Sequence, residues 1–437
     1  MSRIRSAPNL KSNEPEGQAA ELRDAPGSWQ GFGLRLGAAN GSREPEVCPS
    51  PRNRMKEAFL TVVIDSDQHL YESRDMWAQN IDPDMRDDAL SIEDDKLGYS
   101  WLTWRGRHLS MADMQHPGDT SAIARHHNRN IDGLRSEYSY DEALPAHYWE
   151  PKARVDHIAS MGLEGAVLFP NFGLLWERRL SQSLPALTAN MGAWNRWCAN
   201  VAYEGAGRLH PVAHLTLRDP QWLLGQLSSL SEAGVRLAMI APSAVDGRPL
   251  SHPDHDRIWD AFVERGVTPV FHVADQPRVL DDAFYTDSEE NFVPVLESVF
   301  LWVPPAIAVT DLIVNGTLEK HPDLRIGIVE LSSIWVPQFL LMLDGGFDFT
   351  SKLNGRHVAE LQLRPSEYFR RQVRVSAFSY EMPARLTAKS GDLFMCCSDF
   401  PHSEGTATPL EDYARIGCEP EEAPGLFESN INSLLSA

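Results

Sequence analysis

Cysteine is scarce. There are five in 437 residues and no two stand in CxxC spacing. A disulfide scaffold and a zinc ribbon are both excluded, and the count fits a reducing cytoplasm. Basic residues are few as well, 40 Lys and Arg against 61 Asp and Glu, for a net charge of -21. A nucleic-acid partner needs clustered Lys and Arg, and an anionic membrane surface needs the same, so neither is expected. No apolar run approaches the ~18 residues of a membrane-spanning helix. Arg3 and Arg5 are not followed by the apolar stretch of a secretory signal. The expectation is a cytoplasmic protein acting on a small molecule.

What is present is an ordinary globular composition, 42% apolar and 23% charged. Residues 1–55 are set apart by Pro, Gly, Ser and Arg with little apolar periodicity, and read as a disordered N-terminal extension. Residues 56–437 read as one folded unit. Eight short apolar runs bounded by turn residues predict strands: Thr61–Asp65, Ala166–Phe169, Leu209–Leu215, Leu237–Ala241, Val267–His272, Arg325–Val329, Gln372–Ser376 and Leu393–Cys397. Between them helical spacing recurs, over Ala153–Met161, Pro185–Tyr203, Gln221–Glu232, His255–Arg265, Ala308–Lys320 and Met382–Lys389. Strand–helix alternation predicts parallel pairing, and eight strands close a (β/α)8 barrel. A doubly wound sheet would carry a Gly-rich turn after its first strand; here the chain runs on as Ser-Asp-Gln-His. The fold class is therefore α/β, a distorted TIM barrel with a long insertion between strands one and two. Residues 91–150 of that insertion are expected over the active-site mouth.

Barrel enzymes carry their chemistry at the C-terminal ends of strands. The first strand runs into Asp65-Ser66-Asp67-Gln68-His69, where i, i+2 spacing aims Asp67 and His69 at one point with Asp65 on the same face. The fifth ends in His272, and the eighth in Asp399 followed by His402. Two imidazoles and two carboxylates at one mouth form a mixed nitrogen and oxygen set that suits one divalent ion, Zn²⁺, Mn²⁺ or Fe²⁺. Elsewhere bland readings prevail. Cys396 and Cys397 are small buried hydrophobes, the His126-His127 pair is solvated, and Trp194, Trp197 and Tyr203 form a core face of one helix.

The same residues resemble the amidohydrolase superfamily, in its amidohydrolase-related branch with the aminocarboxymuconate-semialdehyde and hydroxybenzoate decarboxylases. IDSDQHLYE (64–72) is similar to the opening metal motif, VTPVFHVAD (267–275) to the strand-five motif, and CSDFPHSEGT (397–406) to the closing S-D-x-P-H motif. GTLEKHPDLRIGIVELSSIWVPQFLLMLD (316–344) resembles the His-Pro turn, strand and Trp-x-Pro helix between them. The resemblance implies Asp67, His69, His272 and Asp399 as metal ligands, and a homodimer. It also implies either of two reactions on a small organic acid or ring. The leading one is hydrolysis by metal-activated water; the alternative is non-oxidative decarboxylation. A barrel that binds without catalysis is the other class. Two departures matter: Asp67 stands where many members have His or Glu, and Glu330 stands at the strand-six position that is often His. Glu330, crowded by other carboxylates, is expected to act as an acid or base. His402 is expected to orient Asp399 or meet substrate, held by Glu404, with Asn171 at the end of strand two also reaching the substrate.

Overall fold

The computed structural model describes residues 62–94, 96, 100–112, 145–174, 176–273, 279–284, 295–357, 359–402 and 405–436. The expectations for residues 1–55, for His126-His127 and for Glu404 lie outside these residues.

All eight strands form in the expected order. They are β1 (Ile64–Leu70), β5 (Gly165–Pro170), β6 (Leu209–His214), β7 (Leu237–Met239), β8 (Thr268–Phe271), β9 (Ile326–Ile328), β10 (Val373–Ala377) and β11 (Phe394–Cys396). Each pairs parallel with the next in the order β1-β5-β6-β7-β8-β9-β10-β11. The ring closes where the chain beyond β11 meets β1: Asp399 N donates to Asp67 O at 2.8 Å and His69 N to Phe400 O at 2.8 Å. The architecture is a distorted TIM barrel. Its interior is filled by inward side chains of alternate positions, among them Val167 and Phe169, Leu237 and Met239. Ile431 and Leu434 of the closing helix Asn430–Leu435 join that interior from the N-terminal ends of the strands, where Thr268 Oγ donates to Leu434 O at 2.7 Å.

Three expectations are corrected. The first strand is expected over Thr61–Asp65, but β1 runs from Ile64 to Leu70 with a register shift between Asp65 and Gln68. The metal motif therefore lies within a strand, because pairing with β5 satisfies its backbone. The helix expected over Ala308–Lys320 is two, Val303–Val314 and Thr317–Lys320. Gly316 separates them at φ 82°, a conformation that ends a helix. Tyr203 is not core but 83% exposed. It lies nine residues beyond buried Trp194 in the helix Leu184–Glu204, and at about 100° per residue that is the opposite face. Trp197 is half-buried and stacks edge-on against Trp194.

Inside the expected insertion lies a small antiparallel sheet of β2 (Ser91–Asp94), β3 (Ser100–Trp104) and β4 (Arg107–Ala112). Arg74, just beyond β1, ties to its first strand by donating to Ile92 O at 2.9 Å. No helix among the described residues is long and apolar enough to cross a membrane.

Candidate metal centre

His69 and His272 project from β1 and from the residue after β8, and both are fully buried. Nδ1 of His69 donates to Pro170 O at 2.9 Å, and Nδ1 of His272 to Val273 O at 2.9 Å. A carbonyl only accepts, so each Nδ1 carries the proton and each Nε2 presents a lone pair inward. Burial, helped by His402, pulls the His69 imidazole down to about 3, so it stays neutral near pH 7.

Carboxylates meet those lone pairs. Asp399 Oδ1 lies 3.1 Å from His69 Nε2, Glu330 Oε2 lies 3.1 Å from His272 Nε2, and Asp67 Oδ1 lies 3.6 and 3.4 Å from the two rings. Nε2 of His69 makes no hydrogen bond. Acceptor facing acceptor in a buried site is repulsive until a cation stands between them. Asp67, His69, His272 and Glu330 offer one ligand atom each within 4.8 Å of one another, and His69, Glu330, Asp399 and His402 form an overlapping set. Two neutral imidazoles and several carboxylates are a donor set that fits one divalent ion such as Mn²⁺ or Zn²⁺.

His402 stacks on His69 at 3.6 Å. Its Nδ1 lies 3.0 Å from Asp399 Oδ1 and its Nε2 3.1 Å from Asn171 Oδ1. The ring thus links the Asp399 carboxylate to the Asn171 side chain. Burial works to raise the Asp399 carboxyl, but His402 and His69 outweigh it and hold Asp399 below the usual carboxylate range. The structure thus brings together Asp67, His69, His272, Glu330, Asp399, His402 and Asn171.

Asp65, expected on the ligand face, is turned elsewhere. Its Oδ1 accepts from Asp67 N and Ser398 N, at 3.1 and 3.0 Å, and its Oδ2 from Gln68 Nε2 at 2.8 Å. The register shift after Asp65 breaks the simple alternation and sends this side chain to the β1–β11 seam. Burial raises its carboxyl to about 6.

Glu330 and Asp399 both have left-handed backbone, φ 57° and 55°. Such residues cost of order 1–2 kcal/mol and persist only where neighbours over-determine them. Glu330 N donates to Ser376 Oγ at 3.0 Å. The turn beyond is gripped by buried Glu381, which accepts from Ser332 Oγ (2.7 Å), Ser333 N (2.9 Å), Ser333 Oγ (2.8 Å) and Phe378 N (3.0 Å).

Sequence reading gave no role to Glu381 or to Arg154. Arg154 is fully buried and donates to His69 O at 2.7 Å and Gln68 Oε1 at 3.0 Å, bracing the strand that carries Asp67 and His69. A signal existed: Arg154 sits four residues before Ile158, on the buried stripe of the helix Pro151–Ser160. A cation on an apolar stripe needs buried acceptors.

Fold and cluster together define a (β/α)8 barrel whose C-terminal mouth carries a group of His, Asp and Glu side chains that could hold one metal ion. No family model matches the chain, and no curated protein matches it. Solved structures do. An amidohydrolase from Mycobacterium avium subsp. paratuberculosis superposes with a TM-score of 0.69 at 21% identity, covering 86% of this chain and 100% of its own. The 5-carboxyvanillate decarboxylase of Sphingomonas paucimobilis gives 0.57 at 14%, covering 86% and 99%. That of Novosphingobium aromaticivorans, complexed with manganese and 4-hydroxy-3-methoxy-5-nitrobenzoic acid, gives 0.56 at 17%, covering 74% and 99%. At these identities the likeness establishes the fold.

Proposed function

We propose that the chain is a metal-dependent, non-oxidative decarboxylase of an aromatic or unsaturated acid. The observation that carries the reading is the convergence of two neutral imidazoles with the carboxylates of Asp67, Glu330 and Asp399 at the barrel mouth. The two decarboxylases among the structural likenesses support the reaction class, and the manganese in one supports the ion. Asp67, His69, His272 and Asp399 would hold the metal, which supplies Lewis acidity and stabilises developing negative charge when bound.

The chain's own residues divide the remaining work. Glu330 has 10% of its side chain exposed where Asp67, His69, His272 and Asp399 have none, so it is the carboxyl nearest the substrate. In the proposed reaction the bond from carbon to the substrate carboxylate breaks and carbon dioxide leaves. That carbon takes a proton from the Glu330 carboxyl, which solvent then restores. His402 holds its proton at Nδ1 against Asp399 and keeps that carboxylate ionised and oriented. Asn171, 3.1 Å from the other side of His402, is assigned to polar groups of the substrate. Hydrolysis of a carbon–oxygen or carbon–nitrogen bond is the second reading, favoured by the higher TM-score of the amidohydrolase. There Asp399 would accept the proton of the attacking water.

Elemental analysis of the purified chain beside His272→Ala and Asp399→Ala tests the site. About one metal per wild-type chain, lost from both variants, is expected. Metal retained by both variants would refute the ligand set. The manganese-loaded chain, offered hydroxybenzoates, should release carbon dioxide. Glu330→Gln should slow that release by roughly 10²–10⁴-fold. Turnover of esters or lactones without carbon dioxide release would move the assignment to hydrolysis.

A further inference from the structure

Beside the metal cluster, a second group of polar side chains is buried with its hydrogen bonds unmade. His214 ends β6 and shares its inward face with Val212, which lies in the barrel interior. In the β5–β6 register Leu168 stands opposite Pro211. Carried on to the mouth, that register sets His214 beside Asn171, whose side chain already meets His402. The second group therefore adjoins the first. It lies two strands round from His69, about 10 Å at the usual strand spacing.

Trp176 and Glu177 arrive from the segment after β5, and Arg218 from the segment after β6. Trp176 is fully buried and packs edge-on against His214 at 5.3 Å, yet its Nε1–H has no acceptor. Arg218 pairs with exposed Asp246, while its Nε–H is buried and makes no hydrogen bond. The Glu177 side chain is only 10% exposed. Its nearest cationic groups are His214 Nε2 at 3.5 Å and Arg218 Nε at 4.0 Å, and no hydrogen bond among the described residues reaches its carboxylate. Buried polar groups are normally paired, and each orphan costs stability. Two N–H donors and a carboxylate, gathered around His214, await a partner that this chain does not supply. Their mixture selects the partner. A carboxylate would satisfy both donors but would face Glu177 and Asp246. An ammonium would satisfy Glu177 and leave both donors orphaned. A hydroxyl donates one hydrogen bond and accepts two, which matches one carboxylate and two N–H groups.

We infer that Trp176, Glu177, His214 and Arg218 form a subsite for a hydroxyl group of the substrate, set apart from the carboxylate that leaves. The inference rests on the decarboxylase reading and narrows its substrate to a hydroxylated acid with the hydroxyl at the far side of the ring or chain. Glu177 accepts the hydroxyl hydrogen, and Arg218 Nε and Trp176 Nε1 donate to its oxygen. A substrate lacking the group leaves all three unpaired, which is how such a site discriminates.

Calorimetric titration of the manganese-loaded chain with matched acids tests it. Benzoate is compared with 3- and 4-hydroxybenzoate, 3- and 4-aminobenzoate, isophthalate and terephthalate. The better hydroxybenzoate should bind at least ~10-fold tighter than benzoate, and tighter than any amine or diacid of the set. Glu177→Met and Arg218→Met should each cut that preference to roughly 2-fold or less, with the affinity for benzoate itself little changed. If Glu177→Met unfolds the chain, Arg218→Met decides, since its side chain reaches solvent. Equal binding of benzoate and both hydroxybenzoates overturns the inference. So does a hydroxyl preference that survives both variants, or tightest binding by an amine or a diacid. If none of these acids binds, the carboxylate anchor fails and the decarboxylase reading with it. The subsite is then read by saturation-transfer NMR with 4-methylphenol against 4-methylanisole. The phenol should show the stronger contact in wild type and lose that advantage in both variants; no difference between the two probes overturns the subsite itself.

Discussion

Glu330, two residues beyond β9, and Asp399, three residues beyond β11, each bring a carboxylate to the cluster from a left-handed backbone, φ 57° and 55°. Their turns are held by different means. At Asp399 the grip is largely main chain. Its N–H donates to Asp67 O, its carbonyl accepts from His402 N, and Thr406 N returns to Ser398 O, all within 2.8–2.9 Å. At Glu330 the grip is side chain, through Ser376 and the four bonds of Glu381. A main-chain grip tolerates substitution wherever the backbone still fits. A side-chain grip hands control of the site to a residue outside it, since Glu381 makes no contact with the cluster among those described and still fixes where Glu330 stands.

The largest effect should come where backbone fit is tightest. A Cβ on Gly405 would lie 2.4 Å from Asp399 O and 2.6 Å from Ser398 O. Main-chain atoms cannot swing aside, so Gly405→Ala should destabilise the fold by about 3 kcal/mol and empty the metal site. Urea denaturation and metal content check this. A stable, metal-filled Gly405→Ala chain would show that the Asp399 turn is looser than its hydrogen bonds imply.

Next in size is Glu381→Ala. It strands four donors, two of them backbone N–H groups, and should cost about 2–3 kcal/mol. Its signature is selective. The Asp399 turn keeps its main-chain bonds, so metal binding should weaken far less than turnover. Equal loss of both would break the distinction between the two ends.

These supports explain what was legible in the sequence. The eight strands announce themselves as apolar runs, and Asp67, His69, His272 and Asp399 stand at the ends or within them, so both the fold and the members of the cluster could be read along the chain. Strand alternation failed at Asp65, because a register shift is set by pairing with β5 and leaves no local mark. Glu381 was invisible for a related reason. Its partners in the Glu330 turn, Ser332 and Ser333, are 49 and 48 residues away in the chain, and a buried carboxylate looks in sequence like any solvated Glu. Arg154 was half-visible, as a charge on the wrong face of a helix.

The smallest effect is the sharpest test of the comparison. Glycine normally costs up to ~1 kcal/mol against alanine through its freedom in the unfolded chain. At a left-handed site the order reverses, because alanine keeps a strain of ~1–2 kcal/mol that glycine sheds. Glu330→Gly should therefore be more stable than Glu330→Ala by about 0.5–1 kcal/mol, and Asp399→Gly should exceed Asp399→Ala similarly. The two sites part company once Glu381 is replaced by Ala. Freed of that grip, the Glu330 turn can relax out of the left-handed region, and the advantage of glycine there should fall toward zero. Asp399 remains locked by main-chain bonds to β1, so its glycine advantage should persist unchanged. Denaturation of the variants with and without Glu381→Ala reads the coupling directly. Coupling of equal size at both positions would mean that Glu381 holds the whole mouth, and that the two turns are one structural unit.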